Sequence, residues 1–195
     1  MKTIRIALMI TAVVLVAVPA SAQNWFWGVT WGLSVPTDEF REYIDKESWR
    51  NFGLEGRKFV SSNQSVGLSF NWSVFNQETR EATTLSGTTI AGDQFRYVNA
   101  FPLLLTMHQY IGDDEGAQLH LGVGVGASYI ERRTEVGLWA FVDKTWHLHL
   151  APEVGFTFPM GWRTKAFIMG RYNLTSETDG SRYTWLDIRV GIVSL

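Results

Sequence analysis

From about residue 24 to its end, the chain alternates apolar with small or polar residues, in segments of roughly ten. The first segment shows it most clearly. Trp25, Trp27, Val29, Trp31, Leu33 and Val35 fall on one phase, and Asn24, Gly28, Thr30, Gly32 and Ser34 on the other, with Phe26 off-pattern. Successive strand side chains point to opposite sides, so the segment has one apolar face and one small, polar face. A face of glycine, serine and threonine cannot form a protein core. The apolar face must be buried by something outside the sheet, and lipid is the medium that fits.

Residues 1–22 read as a secretory signal peptide rather than as part of the fold. Lys2 and Arg5 form a basic head, Ile6 to Val18 is apolar, Pro19 breaks the run, and Ala20-Ser21-Ala22 is a small-x-small cleavage site. The apolar run is short for a spanning helix. The fold is then one domain over 23–195. Leaving out Lys2 and Arg5 takes the 17 basic residues to 15 against 19 acidic, and the net charge from −2 to −4. That mild acidity gives no sign of nucleic acid or of a polybasic membrane surface. The absence of cysteine removes disulfides and thiol metal sites. A membrane protein without long apolar runs must span as a closed barrel, since lipid leaves no other way to satisfy every backbone group. Nine tryptophans in a chain this small fit a protein with two membrane–water interfaces.

Eight strands are predicted, near 24–35, 50–60, 65–76, 94–108, 117–130, 143–157, 163–174 and 183–194. Their connections alternate in length. Ser61–Gln64, Ile111–Gly116 and Pro159–Trp162 are short, whereas about 36–49, 77–93, 131–142 and 175–182 are long. An all-β, eight-stranded, antiparallel up-and-down transmembrane β-barrel has this rhythm, with short turns at the end that holds both termini and long loops outside. Thr37 is placed to cap a short helix with Phe40, Tyr43 and Ile44 on one face. Pro102 and Pro152 fall inside strands and point to bulges.

Few residues carry a pattern for chemistry. Gly122, Gly124 and Gly126 recur every second residue, which suits close packing on a lumen face and lacks the spacing of a nucleotide loop. His147, His149 and Glu153 share the inward phase of one strand, where a metal site or part of a hydrolytic triad is conceivable, but no activated nucleophile can be placed beside them. His108 and His120 fall toward the periplasmic end without evident partners. The expectation is no catalytic, metal or cofactor site. The inward charges are more informative: Glu55, Arg57, Glu153, Lys165, Arg171, Asp187 and Arg189 form a near-balanced set. In a barrel just wide enough to be filled by side chains, such charges must pair.

In these features the chain resembles the small outer-membrane β-barrel family that includes OmpX, OmpW and the barrel domain of OmpA. Gly67-Leu68-Ser69-Phe70-Asn71-Trp72, Phe95 to Pro102 and Leu150-Ala151-Pro152-Glu153-Val154-Gly155 are similar to barrels of Bacteroidetes-type bacteria. The resemblance implies a monomer in the outer membrane, contacting lipid and lipopolysaccharide and inserted by the barrel-assembly machinery. The family usually ends in an aromatic residue, and this chain ends in Leu195. Aromatic belts are expected at Trp25, Trp27, Tyr110, Phe156 and Trp162 on the periplasmic rim, and at Trp72, Tyr97, Trp146 and Trp185 toward the outer rim. The functional expectation is a non-catalytic barrel with a plugged polar lumen and external loops that bind an extracellular ligand or shape the surface. A narrow porin-like channel and a lipid A-modifying enzyme are the alternatives, and a soluble lipocalin-like barrel fits the small-residue face poorly.

Overall fold

The computed structural model describes residues 25–79, 83–85, 88–90, 93–113, 116–161 and 164–194. The predicted signal peptide, Trp162 and Leu195 lie outside them. Eight long strands close a barrel: β1 (Trp25–Thr37), β2 (Ser48–Ser61), β3 (Gln64–Thr79), β6 (Gln94–Ile111), β7 (Gln118–Val136), β8 (Trp139–Pro159), β9 (Thr164–Thr175) and β10 (Thr184–Ser194). Each is antiparallel to the strand before it, and β1 closes on β10 from Trp27 opposite Ser194 to Thr37 opposite Thr184. A two-stranded ribbon, β4 (Thr83–Leu85) and β5 (Thr88–Ile90), sits within the connection between β3 and β6. The helix α1 (Asp38–Tyr43) follows β1; Thr37 stands at the N-cap position, but its hydroxyl lies 3.2 Å from the Tyr172 hydroxyl and caps no helix N–H.

The alternation has the expected consequence. Trp27, Val29, Leu54, Phe70, Leu103, Leu105, Leu121, Val123, Val125, Leu150, Val154, Ile188 and Val190 are exposed on the outside. Ser34, Asn51, Ser69, Asn71, Arg171, Asp187 and Arg189, on the opposite phase, are buried inside. The charged or polar residues are therefore at the centre and the apolar ones at the surface, inverted from a soluble protein.

The barrel wall is uneven in height. The β6–β7 and β7–β8 ladders continue out to Val136, and β3 pairs with β6 out to Thr79 opposite Gln94. The β8–β9 ladder stops at His149 opposite Thr175, and β2–β3 stops at Asn51 opposite Ser73. The long loop expected over 131–142 is thus mostly strand. β7 and β8 run on as a hairpin that turns at Gly137, whose φ of +58° suits glycine. Period-two alternation weakens there because both faces have left the barrel.

The two strand prolines do not make bulges. Around Pro102 the β3–β6 register is the same on both sides of a missing stretch, Phe70 opposite Leu103 and Ser73 opposite Ala100. Pro152 leaves the same kind of gap between Leu150 opposite Leu174 and Glu153 opposite Arg171. Each proline removes a donor on one side only, and its other ladder, Pro102 with Ser128 or Pro152 with Val123, is unbroken. The irregularities lie elsewhere, between Gly32 and Ser34 on β1 and between Phe59 and Ser61 on β2.

Candidate functional site

The interior is layered. At the outer end, α1 lays Phe40 and Ile44 against Phe75, Val98, Ala100, Ile130, Tyr183 and Trp185. The Phe40 ring meets Phe75 edge-on at 4.8 Å and Tyr183 at 5.3 Å between centroids. At the end holding the short turns, Phe167, Met169 and Val193 form a second apolar layer with Phe26 packed on it. Phe26, off-pattern in the sequence, is on the inward phase of β1. Between these layers lie the charges.

Two linked clusters make up the charged layer. In the first, Arg57 donates from Nη2 to Glu55 Oε2 at 2.6 Å and from Nη1 to the Tyr110 hydroxyl at 3.0 Å. Arg171 crosses the barrel. Its Nε donates to Glu153 Oε2 at 2.6 Å, its Nη2 to Glu55 Oε1 at 3.0 Å and its Nη1 to Ser69 Oγ at 3.1 Å. His108 Nε2 closes on Glu153 Oε1. In the second cluster Arg189 pairs with Asp187 and donates to Asn71. Asp187 also accepts from Ser34 Oγ at 2.6 Å and from the amides of Asn51 and Asn173, each at 2.8 Å. Three carboxylates thus meet three guanidinium groups, and every carboxylate has both a countercharge and further donors. Buried charge is tolerated on those terms. Lys165, the seventh predicted member, is only half-buried and stands apart near the lower layer, donating to Gln118 Oε1 at 3.2 Å.

A glycine makes the first cluster possible. Gly122 on β7 is paired with His108 on one side and Glu153 on the other. A Cβ there would stand 2.6 Å from the His108 ring and 2.8 Å from Glu153 Cγ. The bond between His108 and Glu153 passes over the bare backbone of Gly122.

His147, His149 and Glu153 do not gather. His149 has Ser128 Oγ at Nδ1 and Asn173 Oδ1 at 3.2 Å from Nε2, and His147 Nδ1 faces the Ser176 carbonyl at 2.9 Å. Glu153 is taken by Arg171 and His108 instead. His108 and His120, expected without partners, have them: His120 Nδ1 lies 3.1 Å from Thr157 Oγ1. Among the described residues no group of three His, Cys, Asp or Glu is placed to hold a metal. Ser128, His149 and Asn173 form a hydroxyl–imidazole–amide line that sequence reasoning missed, and all three are buried, with Trp185 5.4 Å from the His149 ring. Arg96 was also missed. It lies on the inward phase of β6 and donates from Nη1 to the Tyr43 carbonyl at 3.0 Å, fixing the end of α1.

Two of the expected belt aromatics are inside. Tyr110 shares parity with His108 and bonds Arg57, and Trp185 shares parity with Asp187 and is fully buried in the outer apolar layer. Their place on the inward phase decides, not their residue type. Trp27, Trp72, Trp146 and Phe156 are exposed on the outside, and Trp25 and Tyr97 are half-exposed there. An outer run of rings crosses the taller wall: Trp72 to Phe101 at 6.1 Å, Phe101 to Tyr129 at 6.2 Å and Tyr129 to Trp146 at 5.3 Å.

A closed, eight-stranded, inverted barrel with these features has solved counterparts. Neisserial surface protein A superposes with a TM-score of 0.56 at 8% identity, covering 87% of this chain and 96% of that one. The chain has the fold of the small outer-membrane barrels. Ail, the attachment invasion locus protein of Yersinia pestis, matches with a TM-score of 0.55 at 11% identity, over 88% of this chain and 97% of its own. The N-terminal β-barrel domain of Pseudomonas aeruginosa OprF matches with a TM-score of 0.51 at 10% identity, over 88% and 97%. No protein-family model and no curated protein matches the chain. At such identities the likeness extends to fold, not to role.

Proposed function

We propose that the protein is an integral, monomeric outer-membrane barrel that does no chemistry and conducts no ions, and that it acts through the elements it raises outside the membrane. The charged layer between two apolar layers carries this reading. Six buried charges are paired with one another, which favours a filled lumen over an ion path, and the void beside Arg57, Tyr110 and Phe167 measures about 10 Å³, room for roughly one water. The Ser128–His149–Asn173 line is buried, with Trp185 against the His149 ring, which does not favour an ester or amide reaching it. The alternation of exposed apolar residues supports a lipid-facing wall, as does the run of Trp72, Phe101, Tyr129 and Trp146 across the taller side. The role then falls to what stands beyond that run: the raised strands, α1 and the loop carrying β4 and β5.

Planar-bilayer recording tests the reading. The purified barrel, shown to be folded by its heat-dependent shift on gels, is expected to give no stable conductance steps. Sustained steps that change in Glu153→Ala would replace the reading with a channel. Lipid A acylation or deacylation lost in His149→Ala would replace it with an enzyme.

A further inference from the structure

The turn of the raised hairpin and the β8 arm next to it are apolar and exposed. Leu138 is 102% exposed, Trp139 74%, Phe141 42% and Val142 50%, and Gly137 and Ala140 are exposed as well. Trp139 and Phe141 lie on the phase that faces the lumen lower in β8, and Ala140 and Val142 lie on the opposite phase. A collar of charge begins on the β7 arm, where Glu135 is opposite Ala140 and Arg133 opposite Val142, and takes up both arms further down. Arg132 meets Asp143 at 3.5 Å, Lys144 meets Glu131 at 3.3 Å, and Arg133 pairs with Glu135. The collar holds three acids and three bases, each engaged. Trp146 marks the aromatic run, so Trp139 lies seven residues further out, about 20 Å along the strand.

We propose that this tip inserts into the interface of a second, apposed bilayer of zwitterionic lipid, an inference that rests on the membrane-barrel reading above. Single exposed apolar residues need no explanation, but five in succession at the end of a projection do. A flat protein surface met from the side would cover one face of the β8 arm and leave the other wet. Endwise entry into a lipid interface covers both, and tryptophan and phenylalanine are the residues that partition there. About three residues of depth, roughly 10 Å, bring Leu138, Trp139 and Phe141 into the headgroup and upper acyl region. Glu135, neutralised by Arg133, and the charges below it then lie at headgroup depth. The collar's balance of charge matches a zwitterionic surface and offers no net attraction to an anionic one. Because the tip points away from its own membrane, the lipid it meets belongs to a facing surface. Many copies on one cell would sum shallow contacts into firm attachment.

The chain has no cysteine, so Leu138→Cys takes one environment-sensitive dye at the tip. The full barrel is placed in nanodiscs and mixed with separate phosphatidylcholine vesicles. The expected result is a blue shift of the dye and co-flotation of nanodiscs with vesicles. In the double variant Trp139→Ser, Phe141→Ser, co-flotation should fall by about tenfold, since the partitioning area is gone, while the heat-dependent gel shift is kept. Three outcomes would overturn the inference: a dye signal unmoved by vesicles, docking confined to anionic vesicles and abolished by salt, or co-flotation unchanged in the double variant. A barrel that fails to enter nanodiscs at all would instead sink the membrane reading.

Discussion

At the scale of single residues, parity decides what a side chain does. Glu55, Arg57, Glu153, Arg171, Asp187 and Arg189 were legible as inward because each sits on the small-residue phase of its strand. Tyr110 and Trp185 sit on that phase too, and weighing their aromatic character over their position misplaced them. Which charge pairs with which was not legible, since pairing depends on strand register around the closed barrel. Glu153 is the most heavily used carboxylate, joining Arg171 and His108 across β7. Glu153→Ala leaves Arg171 with Glu55 as its one carboxylate and should cost about 3–5 kcal/mol in folding titrations into lipid. An unchanged titration would mean the network does not hold the barrel. Asp38, at the outer end, gives a pH test. The hydroxyls of Tyr172, at 2.7 Å, and Thr184, at 3.0 Å, donate to its carboxylate and hold its pKa below the ordinary aspartate value. The folded pKa is depressed, so its contribution is present above the ordinary aspartate range and is lost as pH falls through the lower, folded value. An NMR titration should find the Asp38 midpoint below that of a free aspartate, and below that of the Tyr172→Phe variant.

At the scale of elements, the sequence announced the strands by alternation and the short turns by their polarity. It hid the outer hairpin. Over 131–142 charged and apolar residues no longer sort by parity, because neither face meets lipid or lumen. The structure shows why strand persists there: β7 is clamped between β6 and β8 up to Val136. β8 is not so clamped. Above Leu148, which exchanges bonds with Ser176, no described residue pairs with the far edge of β8. Leu148 presents its N–H to that edge, so two-residue alternation turns those of Trp146, Lys144, Val142 and Ala140 the same way, and those of Thr145, Asp143 and Phe141 toward β7. Hydrogen exchange of the embedded barrel should therefore alternate along this stretch, fast at Ala140, Val142, Lys144 and Trp146 and slow at Phe141, Asp143 and Thr145. Uniformly slow exchange would reveal a partner on the edge. Uniformly fast exchange would show the hairpin frayed from β7.

At the scale of the whole molecule, one wall serves two environments. The same outward phase of β8 carries Phe156, Val154, Leu150, Leu148 and Trp146 and then, beyond the aromatic run, Lys144, Val142 and Ala140. From residue type alone Val142 and Leu150 look alike, being 50% and 44% exposed. Their surroundings differ. Leu150 is opposite Val125, within a band of apolar neighbours, whereas Val142 is opposite Arg133, within the charge collar. Arginine at Leu150 would have to be held in hydrocarbon and should cost about 2–4 kcal/mol, while arginine at Val142 would stand in water and should cost about 0–1 kcal/mol. Leu121→Arg, on the outward face of β7, should behave like Leu150→Arg. Folding titrations of the three variants into the same lipid place the membrane boundary between residues 150 and 142. Equal costs at all three positions would remove the distinction between spanning wall and raised wall. The external role proposed for this barrel depends on that distinction.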